Sequence, residues 1–223
     1  MRNALCCIGV LAVAACAFAQ TGGIQGTVTD DAGQLLTGAY VIATPLGSAG
    51  GISSTTQSKS DGSFSLAQLS PGDYMLCVQV PHSRYLDSCR WFSPVVVRVV
   101  GGQVSANNSL HVARGSIVRV RLNDAGKHLA NGEGEVLLGI VASSLFHPLR
   151  LAASDASGRT FDIAIPLNAS LRLAVTSDRL QLQDVNGNAL SAISNSFPIL
   201  FPILQVPGAQ DLTLTFNITG KRP

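Results

Sequence analysis

Four histidines are the side chains best suited to catalysis or metal binding, but their neighbours complete no known site. They are His82, His111, His128 and His147. None has a second metal ligand at helical or hairpin spacing, and we expect exposed imidazoles at His82 and His147, which lie in loops or beside prolines. The chain has no His-Glu-x-x-His, Gly-x-Ser-x-Gly, P-loop or Cys-x-x-Cys motif. The sequence therefore predicts no catalytic residue, no metal site and no cofactor.

Two other sets of residues are candidates for cation binding and for hydrolysis. The adjacent carboxylates Asp30 and Asp31 could face a cation, but one acidic pair in a turn offers too few oxygens for calcium. A Ser-His-Asp triad built from distant residues leaves no local pattern, so a cryptic hydrolase remains an alternative. Because nothing marks a nucleophile, we expect a protein that is not an enzyme.

The cysteines predict a disulfide. Of five cysteines, three lie within the first sixteen residues, and Cys77 and Cys89 remain in the body of the chain. An even pair in an exported protein favours a disulfide, with two buried free thiols as the alternative. Two cysteines without a close histidine pair lack the ligands for zinc. Closing a loop of this length would stabilise the fold by roughly 3 kcal/mol.

The residues from 81 to 92, here called the Cys loop, are the most informative local feature. Period-two alternation places Tyr74, Leu76 and Val78 on the core face, so Cys77 points to the outer face and the disulfide folds the loop across it. The loop orders a candidate binding set: Tyr85, Arg90, Trp91 and Phe92. Two interpretations stay open. The aromatic side chains cover the outer sheet or a seam with the second half of the chain, or they form a surface that recognises a sugar or a protein.

The first nineteen residues read as a targeting segment. Arg2 precedes an apolar run that is too short to span a bilayer, and Ala17-Phe18-Ala19 fits a cleavage site for a signal peptide over residues 1–19. The alternative is a bacterial lipobox, Val13-Ala14-Ala15-Cys16, which would place a lipid anchor on Cys16. Both predict an extracytoplasmic protein, secreted or periplasmic in the first case and lipid-anchored in the second. No later segment is long and apolar enough for a transmembrane helix.

Composition and periodicity indicate an all-β protein. Hydrophobic residues make up 46% of the 223 residues, which is too many for a disordered chain. The net charge of +2, without a basic block, argues against nucleic acid as a partner. Apolar residues alternate with polar ones in many short segments, and glycine-containing turns separate them. Short strands at this spacing predict antiparallel β-sandwiches.

The two halves of the chain also resemble each other. The segment Asp61-Gly62-Ser63-Phe64 parallels Ser157-Gly158-Arg159-Thr160-Phe161, and ten residues separate Phe64 from Tyr74 and Phe161 from Leu171. We therefore expect two tandem antiparallel β-sandwiches, over residues 20–114 and 115–223, the second a divergent repeat of the first. A single large sandwich is the alternative. The junction has almost no linker, which predicts a rigid rod.

One string of motifs in the first half is characteristic of a known family. It consists of Ile24-x-Gly26-x-Val28-x-Asp30-x-x-Gly33, then Asp61-Gly62-Ser63-Phe64, then Leu69-x-Pro71-Gly72-Asp73-Tyr74-x-Leu76-x-Val78. This pattern resembles the carboxypeptidase regulatory-like domain over about residues 22–112. The resemblance implies a transthyretin-like β-sandwich without catalytic residues. The second half matches only loosely.

Together these patterns predict a non-enzymatic, exported binding or structural accessory module of the cell envelope. Its partner would be a protein or polysaccharide of the envelope. A carbohydrate-binding module is the main alternative, and an exposed Trp91 would favour it. The regular, weakly charged segment Leu212–Ile218 is a candidate edge strand for pairing with another chain.

Overall fold

A computed structural model describes residues 20–47, 52–91, 94–129, 138–175, 180–189 and 199–221. The signal peptide and lipobox predictions, with Cys16, and the predicted binding residue Phe92 lie outside the described residues.

The described residues form sixteen β-strands and one helical turn, which confirms the all-β prediction. Their bounds are β1 Gly22–Asp30, β2 Tyr40–Pro45, β3 Ser54–Gln57, β4 Ser63–Leu69, β5 Gly72–Gln79, α1 Ser88–Trp91, β6 Val95–Val99, β7 Val104–Val112, β8 Ser116–Asn123, β9 Leu138–Ala142, β10 Leu145–Pro148, β11 Arg150–Asp155, β12 Gly158–Ile165, β13 Ala169–Val175, β14 Leu180–Asp184, β15 Ile199–Val206 and β16 Leu212–Lys221. In this part of the chain, no helix has the length and hydrophobicity needed to cross a bilayer.

The strands of the first half form two sheets around one apolar core. One sheet has the order β3-β2-β5-β6 and the other β4-β1-β7. Alternation explains the core, because Tyr74, Leu76 and Val78 of β5 are buried between the sheets. The Tyr74 hydroxyl donates to the Ser70 carbonyl at 3.0 Å, so the buried ring keeps a polar partner. Gly62 has a φ of 69° in the predicted turn before β4, a conformation that glycine adopts without strain.

The strand order of the second half reproduces that of the first with two additions. Its sheets are β10-β9-β13-β15 and β11-β12-β8-β16-β14, so β11 and β14 extend the edges of the sheet that corresponds to β4-β1-β7. A second core contains Val118, Val120 and Leu122 of β8 with Leu171 and Leu173 of β13. The division at residue 114 and the origin of the second half as a repeat remain predictions.

Two expectations about the strands need correction. Each half contains one parallel pair, β1 with β7 and β8 with β16, where the alternation suggested antiparallel neighbours throughout. Period-two alternation carries no information about strand direction, and the last strand of each half arrives from the opposite sheet. The Leu212–Ile218 segment is not an edge strand, because it belongs to β16, which lies between β8 and β14.

Candidate functional site at the seam between the halves

The predicted disulfide is present and holds α1 against β5. Cys77 and Cys89 are bonded, with their Cα atoms 5.2 Å apart. The Val78 amide donates to the Ser88 hydroxyl at 2.8 Å, so the start of α1 is also tied to the strand. Cys77 lies on the outer face of β5 as expected, and it is nevertheless buried there.

Asp87 caps α1 and links it to neighbouring side chains. Its Oδ1 accepts from the Cys89 amide at 3.1 Å, and its Oδ2 accepts from Gln79 Nε2 at 2.8 Å. Arg90 Nε lies 3.3 Å from the same Oδ2. A four-residue helix is unstable by itself, because helix nucleation is unfavourable. The cap, the ion pair and the disulfide together therefore hold this turn.

Trp91 projects from α1 onto the second half. Its ring is stacked on the His147 ring, with the centroids 4.3 Å apart, and its Nε1 donates to the Ala164 carbonyl at 3.1 Å. The indole packs against the core of the second half and is half-buried. Trp91 therefore lies at a seam with the second half, which is one of the two locations expected if the aromatic side chains of the Cys loop only pack. The role of the loop residues in binding stays a prediction.

His147 is buried, contrary to the expectation of an exposed imidazole. Only 6% of its surface is accessible, because Trp91 covers the ring from the other half of the chain. Burial lowers the pKa of His147, the nearby Arg90 charge lowers it further, and Asp87 offsets part of this effect. The neighbouring Pro148 suggested a loop, but His147 lies within β10.

Two arginines of the Cys loop also reach the second half. Arg84 Nη2 lies 3.0 Å from Asp211 Oδ2, and its Nη1 donates to the Ala209 carbonyl at 3.3 Å. Arg90 Nη1 donates to the Pro148 carbonyl at 3.4 Å. The arginines and Trp91 therefore contact three separate segments of the second half.

The backbone of the Cys loop pairs with the junction between the halves. The Leu86 amide donates to the Ala113 carbonyl at 2.9 Å, and the Gly115 amide donates to the Arg84 carbonyl at 2.7 Å. A Cβ atom on Gly115 would collide with the Ile165 carbonyl and with the Leu86 side chain. The junction is thus hydrogen-bonded and closely packed, which no composition or periodicity signal indicated.

Asp30 lies at the same junction, and both of its carboxylate oxygens accept hydrogen bonds. Its Oδ2 accepts from the Tyr85 hydroxyl at 3.2 Å and from Arg114 Nη2 at 2.9 Å. Its Oδ1 accepts from the Ala32 and Gln34 amides. The pKa of Asp30 is lowered, first by the Gln34 amide and also by Arg114, Ala32 and Tyr85. The sequence indicated Asp30 as half of an acidic pair in a turn and as part of the family motif, and the distant Tyr85 and Arg114 could be found only from the fold.

A small cleft of about 50 Å³ separates the Cys loop from β11 and β12. His82 Nδ1 lies 3.5 Å from Asp162 Oδ1 across it, and Arg150 Nη2 donates to Gln79 Oε1 at 3.0 Å. These four side chains of the cleft wall are therefore paired with one another. Among the described residues, no group of three His, Cys, Asp or Glu side chains is arranged to hold a metal ion.

The fold also brings a histidine next to two hydroxyls on an open sheet surface. The parallel register of β1 and β7 sets Thr29 Oγ1 2.7 Å from His111 Nδ1, and Ser109 Oγ lies 3.2 Å from His111 Nε2. Because hydroxyls occupy both ring nitrogens, no carboxylate orients the imidazole as in a catalytic triad. His111 and Ser109 are exposed, and this sheet surface offers no enclosed place for a substrate.

Solved structures similar to this chain include two bacterial pilins and one further bacterial protein, all at low similarity. The streptococcal ancillary pilin is 14% identical, with a TM-score of 0.39, and the match covers 92% of this chain and 63% of that one. The minor pilin of Streptococcus agalactiae is 9% identical, with a TM-score of 0.38 and coverage of 91% and 97%. The Bacillus anthracis TIE protein is 11% identical, with a TM-score of 0.34, and this chain, matched over 89% of its length, spans 34% of it. Likenesses this weak carry no inference about function.

A family model matches part of the first half. No curated protein matches the chain significantly. The model of the carboxypeptidase regulatory-like domain matches residues 23–86, from β1 to the middle of the Cys loop. The match is shorter than the stretch expected from the motifs, and it stops before β6 and β7, which complete the two sheets. Over residues 23–86 this chain is thus similar to the carboxypeptidase regulatory-like domain, as its sequence motifs predict.

Proposed function

We propose that this chain is a non-enzymatic, exported structural module that works as a rigid two-part spacer of the cell envelope. One observation carries the proposal: Arg84, Arg90 and Trp91 of the Cys loop are all bonded to the second half. A loop that recognised a free ligand would keep such side chains available for hydrogen bonds to that ligand. These side chains instead donate hydrogen bonds to the second half of the same chain.

The chemistry of the seam supports a structural role. Its charged groups are paired, the Trp91 ring is stacked, and the cleft beside it is small. Similarity to the carboxypeptidase regulatory-like domain supports a non-enzymatic module, since that resemblance implies no catalytic residues. A protein or polysaccharide of the envelope would then be contacted by surfaces away from the seam.

Rigidity is the property to test. We would measure ¹⁵N relaxation on residues 20–223 with the disulfide formed, and compare rotational correlation times from amides of β1 and β8. A spacer predicts one common value for the two strands. The double variant Arg84→Gln, Trp91→Ala should separate the two values. The matched control Arg98→Gln should not, because Arg98 is 79% exposed and lies 3.9 Å from Asp73, far from the seam. Independent tumbling of the unaltered protein would overturn the proposal.

A further inference from the structure

One short stretch of the first half supplies a series of side-chain bonds to the second half. Among the described residues it contributes Gln79, His82, Arg84, Asp87, Arg90 and Trp91. The stretch begins at the last residue of β5 and ends with α1. The disulfide from Cys77 to Cys89 brackets most of it.

The same stretch restrains the junction itself. Leu86 and Arg84 pair with Ala113 and Gly115 through backbone hydrogen bonds, and Leu86 is almost completely buried. Without this pairing the junction would be a short extended segment rotating about a few backbone dihedrals. The Cys loop therefore controls both the contacts between the halves and the hinge that joins them.

Within the first half, only local interactions hold the end of the Cys loop. The helical turn α1 contains only four residues, none of them fully buried, and the Asp87 cap, the bond from the Val78 amide to Ser88 and the disulfide hold it on β5. Residue 91 carries the indole that fits against His147, so movement of α1 removes that contact. The disulfide is thus the covalent bond on which the position of Trp91 depends.

We infer that the Cys77–Cys89 disulfide is a redox-sensitive latch that makes the two halves one rigid body. This inference rests on the proposed spacer function and adds its regulation. The reductant would be a dithiol of the thiol–disulfide oxidoreductase class. One of its thiolates attacks Sγ of Cys89, which is more exposed than Cys77, and forms a mixed disulfide while Cys77 leaves as a thiolate.

The second thiol of the reductant then displaces Cys89. The balance is two electrons and two protons: the protein gains two thiols and the reductant becomes a disulfide. The released loop frees the junction, and the rod becomes two sandwiches joined by a hinge. In an oxidising compartment the latch stays closed.

Trypsin cleavage after Arg114 reports the state of the hinge, because cleavage follows the population of the open form. The substrate is residues 20–223, in which Cys77 and Cys89 are the only cysteines. We expect dithiothreitol to accelerate cleavage after Arg114 by about tenfold or more, leaving fragments 20–114 and 115–223 folded. The variant Cys77→Ser, Cys89→Ser should be cleaved quickly with or without dithiothreitol. This variant shows that the reductant acts only through the disulfide.

Three results separate the possibilities. Unchanged cleavage on reduction, with one correlation time before and after, would refute the latch and leave the spacer intact. Loss of the amide spectrum of β1 to β5 on reduction would also refute it, because the disulfide would then maintain the first sandwich itself. Two correlation times in the oxidised protein would refute the spacer, and the latch with it.

Discussion

The Asp30 carboxylate accepts from four donors at the point where the two halves meet. They are the Ala32 and Gln34 amides, the Tyr85 hydroxyl and the Arg114 guanidinium. The carboxylate is almost inaccessible to water, so its charge is stable only with these donors in place. A single acidic side chain therefore connects the turn after β1, the Cys loop and the junction.

Replacing Asp30 tests this role. Asp30→Asn removes the charge and places an amide donor opposite two donors, so we expect the melting temperature to fall by about 5 °C or more. The control is Asp31→Asn, since Asp31 is exposed and accepts only a 3.3 Å bond from the Arg114 amide. Equal effects of the two substitutions would contradict the assigned role. The lowered pKa of Asp30 adds stability above the ordinary aspartate range, and that stability is lost as the pH falls through the folded-state pKa.

His147 gives the seam a pH dependence of predictable sign. Its pKa is lowered in the folded protein, so the unfolded chain binds the proton more tightly. Stability should therefore rise with pH through the window below the ordinary histidine pKa and then level off. We expect His147→Phe, which keeps a ring against Trp91, to remove part of this rise between pH 5 and 7 in thermal melts. Parallel curves for both proteins would show that His147 does not titrate with unfolding.

At the scale of elements, α1 shows how a segment too short to fold alone acquires a fixed position. The Asp87 cap, the bond from the Val78 amide to Ser88 and the disulfide hold it on the outer face of β5. The turn then presents Trp91 outward, where it meets β10 and the end of β12. The role of α1 is therefore to position the Trp91 indole.

Truncating Trp91 separates packing from recognition. Trp91→Ala removes a half-buried indole, its stacking and one hydrogen bond, so we expect a loss of about 2–3 kcal/mol in the free energy of unfolding. Chemical denaturation would measure this, and a pull-down from an envelope fraction should stay unchanged. Tyr40→Ala is the matched control, because Tyr40 is an exposed aromatic residue on the face of β2. Weaker binding to the envelope fraction without loss of stability would instead establish a recognition surface.

At the scale of the whole molecule, the two cores of the described residues are joined at the seam between the Cys loop and the second half. Each core is enclosed by its own pair of sheets, and the second half repeats the strand order of the first with β11 and β14 added at the edges of one sheet. The halves influence each other only as strongly as the seam allows. Its ion pairs are partly exposed and each contributes little, so the stacked indole and the paired junction supply most of the coupling.

Calorimetry tests this coupling through the number of thermal unfolding transitions. We expect residues 20–223 with the disulfide intact to unfold in one transition, because loss of either half leaves the stacked ring, ion pairs and hydrogen bonds of the seam without partners. In the variant Arg84→Gln, Trp91→Ala, two transitions should separate. The Arg98→Gln variant should keep the single peak. Two peaks in the unaltered protein would mean that the seam is too weak to couple the cores.

Local periodicity and cysteine arithmetic by themselves determined the all-β class, the buried face of β5 and the disulfide, and a string of glycine and turn motifs carried the resemblance to the carboxypeptidase regulatory-like domain. These features depend on neighbouring residues or on a pair of like residues, so a linear pattern records them. The parallel pairs, the interior place of β16, the burial of His147 and the Asp30 cluster were decided only by the tertiary structure. Each joins residues far apart in the chain, as Trp91 meets His147 and Asp30 meets Arg114, and no spacing rule encodes such contacts.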